Sequence, residues 1–400
     1  MTPIKSTHRQ PKPAPISRRV ERIPASDTKQ MPVLAARIGG CVSLGQGVPS
    51  FETPGHITEA VCRALRDEPA SGKYSLQPGM RPLRQAIADT LQKEKGILAD
   101  PDSEITVTVG AMEGLLAAVL ALVERGDEVI LPAPTYASYI EQVLLAEGQP
   151  VFVPLRTADW SLDVDAVEKA ITSRTRLVIV CNPSNPTGAV FADDDIRHLA
   201  ECVNHHGIYL ISDETYDYLT YESPVPMSPA SLPGMSEHVI SVFSFSKKYA
   251  MTGWRVGYVT APRSVMAGMM KVHDVVAICA PAPSQYAALA ALTGPTDPIR
   301  QMRDALDARR TLCCRRLDAL ADAFDYVAPR GAFYIMARYR FTDTPSRETA
   351  VRLLNEARVI TIPGGAFGPG GEGHLRLSYG GTEEEIGTAF DRIDAWLNKH

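Results

Sequence analysis

Apolar, strand-like runs alternate with helical patterns along the chain from residue 104 onward. The run at 176–181 is rich in valine and isoleucine, as expected for a strand buried on both faces of a sheet. Such alternation predicts an α/β fold, with a mostly parallel seven-stranded sheet and flanking helices. The predicted strands are 104–109, 128–131, 150–154, 176–181, 208–212, 239–243 and 255–260, and the helices between them include 112–123, 138–147, 163–173 and 193–205.

The last third of the chain follows a different pattern, which predicts a smaller α+β domain. A long charged helical stretch at 298–324 precedes a strand-like run at 332–337. A helix at 346–357, a glycine-rich loop at 364–373, a strand at 374–379 and a final helix follow. We predict four parts: a flexible N-terminal arm (1–30), the N-terminal part of the small domain (31–75), a large domain (76–295) and the C-terminal small domain (296–400).

Composition argues against several classes of protein. A net charge of −5 disfavours nucleic acid as the main partner. The longest apolar run, 114–123, is too short to span a bilayer, so no membrane segment is expected. The seven cysteines form no C-x-x-C pair and no H-E-x-x-H motif occurs, so we expect reduced thiols, no metal site and a cytoplasmic protein.

A lysine flanked by phosphate-binding side chains follows the strand predicted at 239–243. Ser244 and Ser246 lie within three residues before Lys247, and Arg255 lies eight residues after it. A lysine amine forms an imine with an aldehyde, while hydroxyls and a guanidinium hold a phosphate. The segment therefore predicts a seat for pyridoxal phosphate (PLP), the aldehyde cofactor of amino-acid chemistry. Taken alone, it is also compatible with a basic surface loop.

Three other predicted strands are followed by residues suited to a phosphorylated aromatic ring. Gly110, Ala111 and Met112 open a helix, whose free N–H groups suit an anion. Tyr136 offers a face for stacking, and Asn185 is an amide held between two prolines. Each has an ordinary alternative, respectively a common α/β turn, a core aromatic and a structural loop.

A carboxylate and a second guanidinium complete the pattern. Asp213 follows the strand predicted at 208–212, where it can pair with a pyridine nitrogen, although an N-cap is the alternative. Arg376 lies on an alternating strand, where it can clamp a carboxylate or simply lie on the sheet surface. Because all these groups recur at successive strand ends, the joint pattern favours the PLP site.

From about residue 31 the chain resembles the class I and II aminotransferases, which are fold-type I PLP enzymes. The resemblance rests on Asn-Pro-Ser-Asn-Pro-Thr-Gly at 182–188, Asp-Glu-Thr-Tyr at 213–216, and Ser-Phe-Ser-Lys at 244–247 with the arginine at 255. It implies that Lys247, rather than Lys248, is the catalytic lysine that binds PLP. It further implies that Asp213 binds the ring nitrogen and that Asn185 and Tyr216 bind the phenolic oxygen. Tyr136 would stack on the ring. The phosphate site would be formed by Gly110, Ala111, Met112, Ser244, Ser246 and Arg255.

The same resemblance implies substrate contacts and a shared active site. Gly47, Asn185 and Arg376 would contact the substrate, with Arg376 on its α-carboxylate. The segment around Tyr74 would reach into a neighbouring subunit, so that Tyr74 touches the partner's cofactor phosphate in a homodimer.

The implied activity is transfer of an amino group from an L-amino acid to a 2-oxo acid. Some relatives that use dicarboxylic substrates have a lysine where this chain has Met112, and Val48 in the closing loop is also uncharged. We therefore expect a substrate that is not a dicarboxylic amino acid. A PLP-dependent lyase, cyclase or oxidase is the main alternative, because these enzymes share the same residues. A non-catalytic PLP module of a DNA-binding regulator is disfavoured, because about 30 residues before the fold are too few for a DNA-binding domain.

Overall fold

The computed structural model describes residues 15–222 and 224–399, which contain thirteen strands and fourteen α-helices. The strands are β1 (Val42–Ser43), β2 (Ile105–Thr108), β3 (Glu128–Ala133), β4 (Gln149–Pro154), β5 (Thr175–Cys181), β6 (Tyr209–Asp213), β7 (Val239–Ser244), β8 (Gly257–Thr260), β9 (Phe324–Tyr326), β10 (Tyr334–Tyr339), β11 (Val359–Ile360), β12 (Ile362–Pro363) and β13 (His374–Ser378). The helices are α1 (Arg18–Glu21), α2 (Asp27–Ile38), α3 (Gly55–Asp67), α4 (Arg81–Lys95), α5 (Gly110–Leu122), α6 (Ala137–Leu145), α7 (Val164–Ala170), α8 (Asp193–His206), α9 (Phe245–Lys248), α10 (Arg263–Ala277), α11 (Ala282–Thr293), α12 (Asp297–Asp318), α13 (Ser346–Arg352) and α14 (Glu383–Leu397).

The seven-stranded sheet has the order β2-β8-β7-β6-β5-β3-β4. Only β8 runs antiparallel to its neighbours in this sheet. Val178, Ile179 and Val180 of β5 are buried, because helices cover both faces of the sheet. The prediction of a mostly parallel seven-stranded sheet is confirmed, and the carboxyl ends of β2, β3, β5, β6 and β7 meet at one edge.

A second, antiparallel sheet of four strands has the order β12-β13-β10-β9, and β1 pairs in parallel with β11. Arg376 lies in β13 opposite Met336 of β10. A bridge between Thr220 and Gly331 connects the loop after β6 to the segment before β10. The predicted smaller α+β region is therefore present, and the bridge connects it to the loop after β6.

Three of the element boundaries that differ from the sequence prediction have a clear structural cause. The helix predicted at 298–324 ends at Asp318, because Phe324 instead pairs with Tyr339 between β9 and β10. The strand predicted from residue 332 begins at Tyr334, since Ala332 adopts a φ of +53°. The strand predicted from residue 255 begins at Gly257, because Arg255 adopts a left-handed conformation with φ +52°.

The N-terminal arm predicted at residues 1–30 is described only in part. Residues 1–14 lie outside the described residues. Helix α2 begins at Asp27, where Arg347 binds the carboxylate with a distance of 3.0 Å, and Met31 is buried. The domain boundaries at 30, 75 and 295 stay a prediction.

No helix within residues 15–222 and 224–399 is both long and apolar enough to cross a membrane.

Candidate active site

A cleft of about 590 Å³ opens at the edge of the large sheet where the parallel strands end. This volume falls within the range of about 300–1,000 Å³ that is typical of small-molecule sites. Of the fourteen predicted site residues, the cleft is lined by twelve: Gly47, Ala111, Met112, Tyr136, Asn185, Asp213, Tyr216, Ser244, Ser246, Lys247, Arg255 and Arg376.

The remaining two predicted residues lie elsewhere. Tyr74 is 78% exposed and does not line the cleft of its own chain. Gly110 lies behind the cleft wall, directly under the guanidinium of Arg255. A Cβ atom at residue 110 would lie 2.6 Å from Nη2 of Arg255, and the residue has a φ of +72°. The backbone conformation at this position therefore favours glycine, and a larger residue here would displace the guanidinium of Arg255.

The N-terminus of α5 and Arg255 together form a site suited to an anion. Ala111 and Met112 lie in the first turn of α5, where backbone N–H groups lack helical partners. The Nη1 atom of Arg255 donates to the carbonyl oxygen of Thr252 at 3.0 Å, which fixes the guanidinium. Ser244 caps the short helix α9 by accepting from the backbone N–H of Ser246 at 3.1 Å. Together these groups provide positive charge and hydrogen-bond donors at one end of the cleft.

Lys247 is positioned as a nucleophile in this cleft. Its Nζ donates to the carbonyl oxygen of Gly47. Burial, followed by the positive charges of Arg376 and Arg255, lowers the pKa of Lys247 to about 7. A large fraction of the amine is therefore uncharged near neutral pH, which is the reactive form towards an aldehyde.

The neighbouring Lys248 has a different environment. Its Nζ lies 2.8 Å from Oε2 of Glu94, away from the residues of the cleft. Burial alone would lower the pKa of Lys248, but the charges of Asp217 and Glu94 outweigh it, and the pKa rises. Lys248 is therefore held as an ammonium in an ion pair.

Asp213 lies at the end of β6, with its carboxylate held from two sides. Oδ2 accepts a hydrogen bond from the hydroxyl of Tyr139 at 2.6 Å, and Oδ1 accepts from the backbone N–H of Thr215 at 3.0 Å. Burial raises the pKa of Asp213, and these hydrogen bonds act in the opposite direction. Sequence reasoning missed Tyr139, although it lies three residues after Tyr136 on the same loop-to-helix segment.

Tyr216 and Tyr334 join the two sheets at the cleft floor. Their hydroxyl oxygens lie 2.8 Å apart. A Cβ atom on Gly47 would lie 2.5 Å from the hydroxyl of Tyr334, so the loop at residue 47 approaches closely because it carries no side chain. No local motif marks Tyr334, whose position depends on how the second sheet packs against the first.

Arg376 is a buried guanidinium with carbonyl acceptors. It is 4% exposed, and it donates to Oδ1 of Asn185 at 3.1 Å and to the carbonyl oxygen of Gly45 at 2.7 Å. Among the residues that the structure describes, no carboxylate forms a salt bridge with Arg376, and its Nε has no hydrogen-bond partner. Burial lowers the pKa of Arg376, so an anion entering the cleft would compensate an unpaired charge.

Helix α2 contributes a wall that the sequence analysis did not assign to the site. Thr28, Lys29 and Pro32 line the cleft, and the charge of Lys29 is among those that lower the pKa of Lys247. Thr28 and Lys29 lie within residues 1–30, which we predicted to be a flexible arm, so the sequence analysis gave no signal for this wall.

Comparison with known proteins identifies the family. The sequence model of "Aminotransferase class I and II" matches residues 40–393. The chain is 38% identical to an aromatic-amino-acid aminotransferase 2 of Thermococcus litoralis and to an aspartate aminotransferase of Pyrococcus abyssi, in each case over 96% of this chain and 98% of the relative. The solved structure of the Thermus thermophilus aspartate aminotransferase with maleate superposes with a TM-score of 0.91 at 35% identity, covering 96% of this chain and 100% of that one. The predicted fold class is thus confirmed, and the chain belongs to the class I and II aminotransferases, a family of PLP-dependent enzymes.

Proposed function

We propose that the cleft is the active site, in which Lys247 binds PLP and Arg376 binds the α-carboxylate of the substrate. The chain is a PLP-dependent aminotransferase, whose substrates are amino acids and 2-oxo acids. The assignment of the site rests on one observation. A half-buried lysine whose pKa is lowered to about 7 shares a cleft with a buried arginine that forms no salt bridge among the described residues.

The residues of the cleft fit the parts of PLP. Arg255, the first turn of α5, Ser244 and Ser246 would hold the phosphate, while Tyr136 would cover one face of the ring. Asn185 accepts from Arg376 through its oxygen, which leaves its amide N–H groups free to donate. These N–H groups and the hydroxyl of Tyr216 would bind the phenolic oxygen. The ring nitrogen would face Asp213.

Bound PLP supplies an electron-withdrawing ring that acidifies the Cα–H of the amino acid attached to it. Arg376 holds the carboxylate of that amino acid and so fixes the direction of the Cα–H bond. Nζ of Lys247, which is partly uncharged at neutral pH, would remove the proton from Cα and later deliver it as a general acid to the C4′ carbon of the cofactor. The carbonyl oxygen of Gly47 accepts from Nζ and thereby orients the amine.

Asp213 supports this chemistry as a fixed negative charge. The hydroxyl of Tyr139 and the N–H of Thr215 hold its two oxygens in one orientation. In a buried site, a carboxylate paired with a protonated ring nitrogen interacts more strongly than it would in water. We therefore propose that Tyr139 orients Asp213.

We further propose a homodimer in which Tyr74 reaches the cofactor phosphate of the partner subunit. Tyr74 is exposed in the single chain, as are the apolar side chains of Leu76, Val275, Val276 and Ile278. Gln285 donates to the Oγ of Ser75, which holds this segment against α11. A set of exposed apolar side chains such as this one is typical of a surface that another subunit covers.

The amino donor is proposed to be apolar, aromatic or small. Met112 and Val48 present uncharged, partly exposed side chains to the cleft. We also propose that the protein is cytoplasmic and that it divides into a large domain (76–295) and a small domain.

A panel of amino donors, each with a 2-oxo acid acceptor, tests the proposed substrate. Phenylalanine, leucine and alanine are compared with aspartate and glutamate, and the new 2-oxo acid is quantified. We expect the highest kcat/KM among the uncharged donors. A preference for aspartate would overturn the substrate assignment, and release of ammonia without any acceptor would indicate lyase or oxidase chemistry instead.

A further inference from the structure

A buried carboxylate lies immediately behind the proposed phosphate site. Glu113, in the first turn of α5, is 8% exposed. Its Oε2 accepts from the backbone N–H of Val109 at 3.1 Å, so the side chain folds back over the helix N-terminus. A negative charge at this place would oppose the binding of a phosphate dianion on the same turn.

His273 of α10 faces this carboxylate and is 1% exposed. Nδ1 of His273 lies 3.0 Å from Oε1 of Glu113, and Nε2 lies 3.1 Å from the carbonyl oxygen of Gln77. A carbonyl oxygen only accepts, so Nε2 carries a hydrogen and donates it. The contact between Nδ1 and the carboxylate then needs a second proton. The pair therefore carries no net charge, whichever of its two atoms holds that proton.

The electrostatic environment of His273 also favours a proton shared between His273 and Glu113. Burial alone would lower the pKa of His273, but the hydrogen bond and charge of Glu113 outweigh burial and raise it. The charge of Asp274, on the same helix, also raises the pKa of His273. The side chain of Gln77 donates to the carbonyl oxygen of Met270, which keeps the acceptor for Nε2 in place.

We propose that His273 is a positioning residue that neutralises Glu113, so that α5 can receive the phosphate of PLP. Glu113 holds the first turn of α5 by accepting from the N–H of Val109. The proton that His273 shares with Glu113 cancels the negative charge of this carboxylate. The inference rests on the proposed function, because it assumes that the cleft binds PLP. It assigns a binding role to two residues that do not line the cleft.

Equilibrium titration of the apoprotein with PLP and with pyridoxal, which lacks the phosphate, tests this role by absorbance. We expect His273→Gln to raise the Kd for PLP at least tenfold and to leave the Kd for pyridoxal unchanged. The double variant Glu113→Gln/His273→Gln, which removes both charges, should return the Kd for PLP to within about threefold of wild type. A purely structural role of His273 would not produce this rescue.

A second variant keeps the test informative if His273→Gln does not fold. Glu113→Gln alone should bind PLP at least as tightly as wild type, since no carboxylate then opposes the phosphate. Tenfold weaker binding by Glu113→Gln, equal losses for PLP and pyridoxal in His273→Gln, or a double variant no tighter than His273→Gln would each overturn the inference. Failure of the wild-type apoprotein to bind PLP would overturn the proposed function itself.

Discussion

Replacing Gly110 by alanine should weaken PLP binding while leaving the rest of the structure largely intact. The added Cβ would lie 2.6 Å from Nη2 of Arg255, a distance that non-bonded carbon and nitrogen atoms do not tolerate. The guanidinium must therefore move away from the place where we propose that it holds the phosphate. The substitution also forces alanine into a left-handed conformation with φ +72°.

Two separate free-energy costs follow from this geometry. The left-handed conformation costs about 1–2 kcal/mol of folding stability in a residue with a Cβ. Loss of a charge-assisted hydrogen bond to phosphate costs about 1.5–3 kcal/mol of binding free energy. The second cost corresponds to an increase of about 10- to 150-fold in the Kd for PLP, because 1.4 kcal/mol is a factor of ten.

Gly207→Ala is a matched control for the backbone cost. Gly207 follows α8 with a φ of +63°, and a Cβ there would meet no atom within 4 Å. Both variants should lose similar stability against urea, but only Gly110→Ala should lose affinity when the apoprotein is titrated with PLP. The reasoning is refuted if Gly110→Ala binds PLP within about twofold of wild type, or if Gly207→Ala loses as much affinity.

Three further predictions concern Lys247 and its surroundings. Lys247→Ala should abolish the visible absorbance of lysine-bound PLP, whereas Lys248→Ala should retain it, because Lys248 is paired with Glu94; the opposite result would contradict the choice of lysine. In stopped-flow measurements, PLP should bind the apoprotein faster as the pH rises through about 7, where Lys247 loses its proton. Arg376→Gln should shift the midpoint of this pH dependence upward, because it removes a positive charge next to Lys247. Asp213→Ala should lower kcat by orders of magnitude under PLP saturation, and a near-normal kcat would refute the proposed role of its charge.

Much of the large sheet was predictable because its strands carry a local signal. A strand buried on both faces is a short run of branched apolar residues, as at Val178, Ile179 and Val180, and this run needs no knowledge of its neighbours. The polar residues that follow such runs were predictable for the same reason, since the ends of parallel strands share one edge. Asp213 and Asn185 were found in this way.

The features that the sequence did not reveal depend on contacts between distant segments. Arg255 begins the strand predicted at 255–260, yet it adopts a left-handed conformation that brings its guanidinium over Gly110. Phe324 extends a helical pattern but pairs with Tyr339 instead. Tyr334 reaches Tyr216 only once the two sheets are packed, and His273 reaches Glu113 only across two helices. Local propensity carries no information about such partners.

The wall formed by α2 has a consequence for how this enzyme could acquire new substrates. Residues 27–38 precede the family match, which begins at residue 40, and they approach the proposed substrate space from a different element than the PLP-binding strands. Arg347 clamps the start of this helix from outside through Asp27. Exchanging a few side chains on this peripheral helix would thus change the proposed substrate selectivity without altering Lys247, Asp213 or the proposed phosphate site.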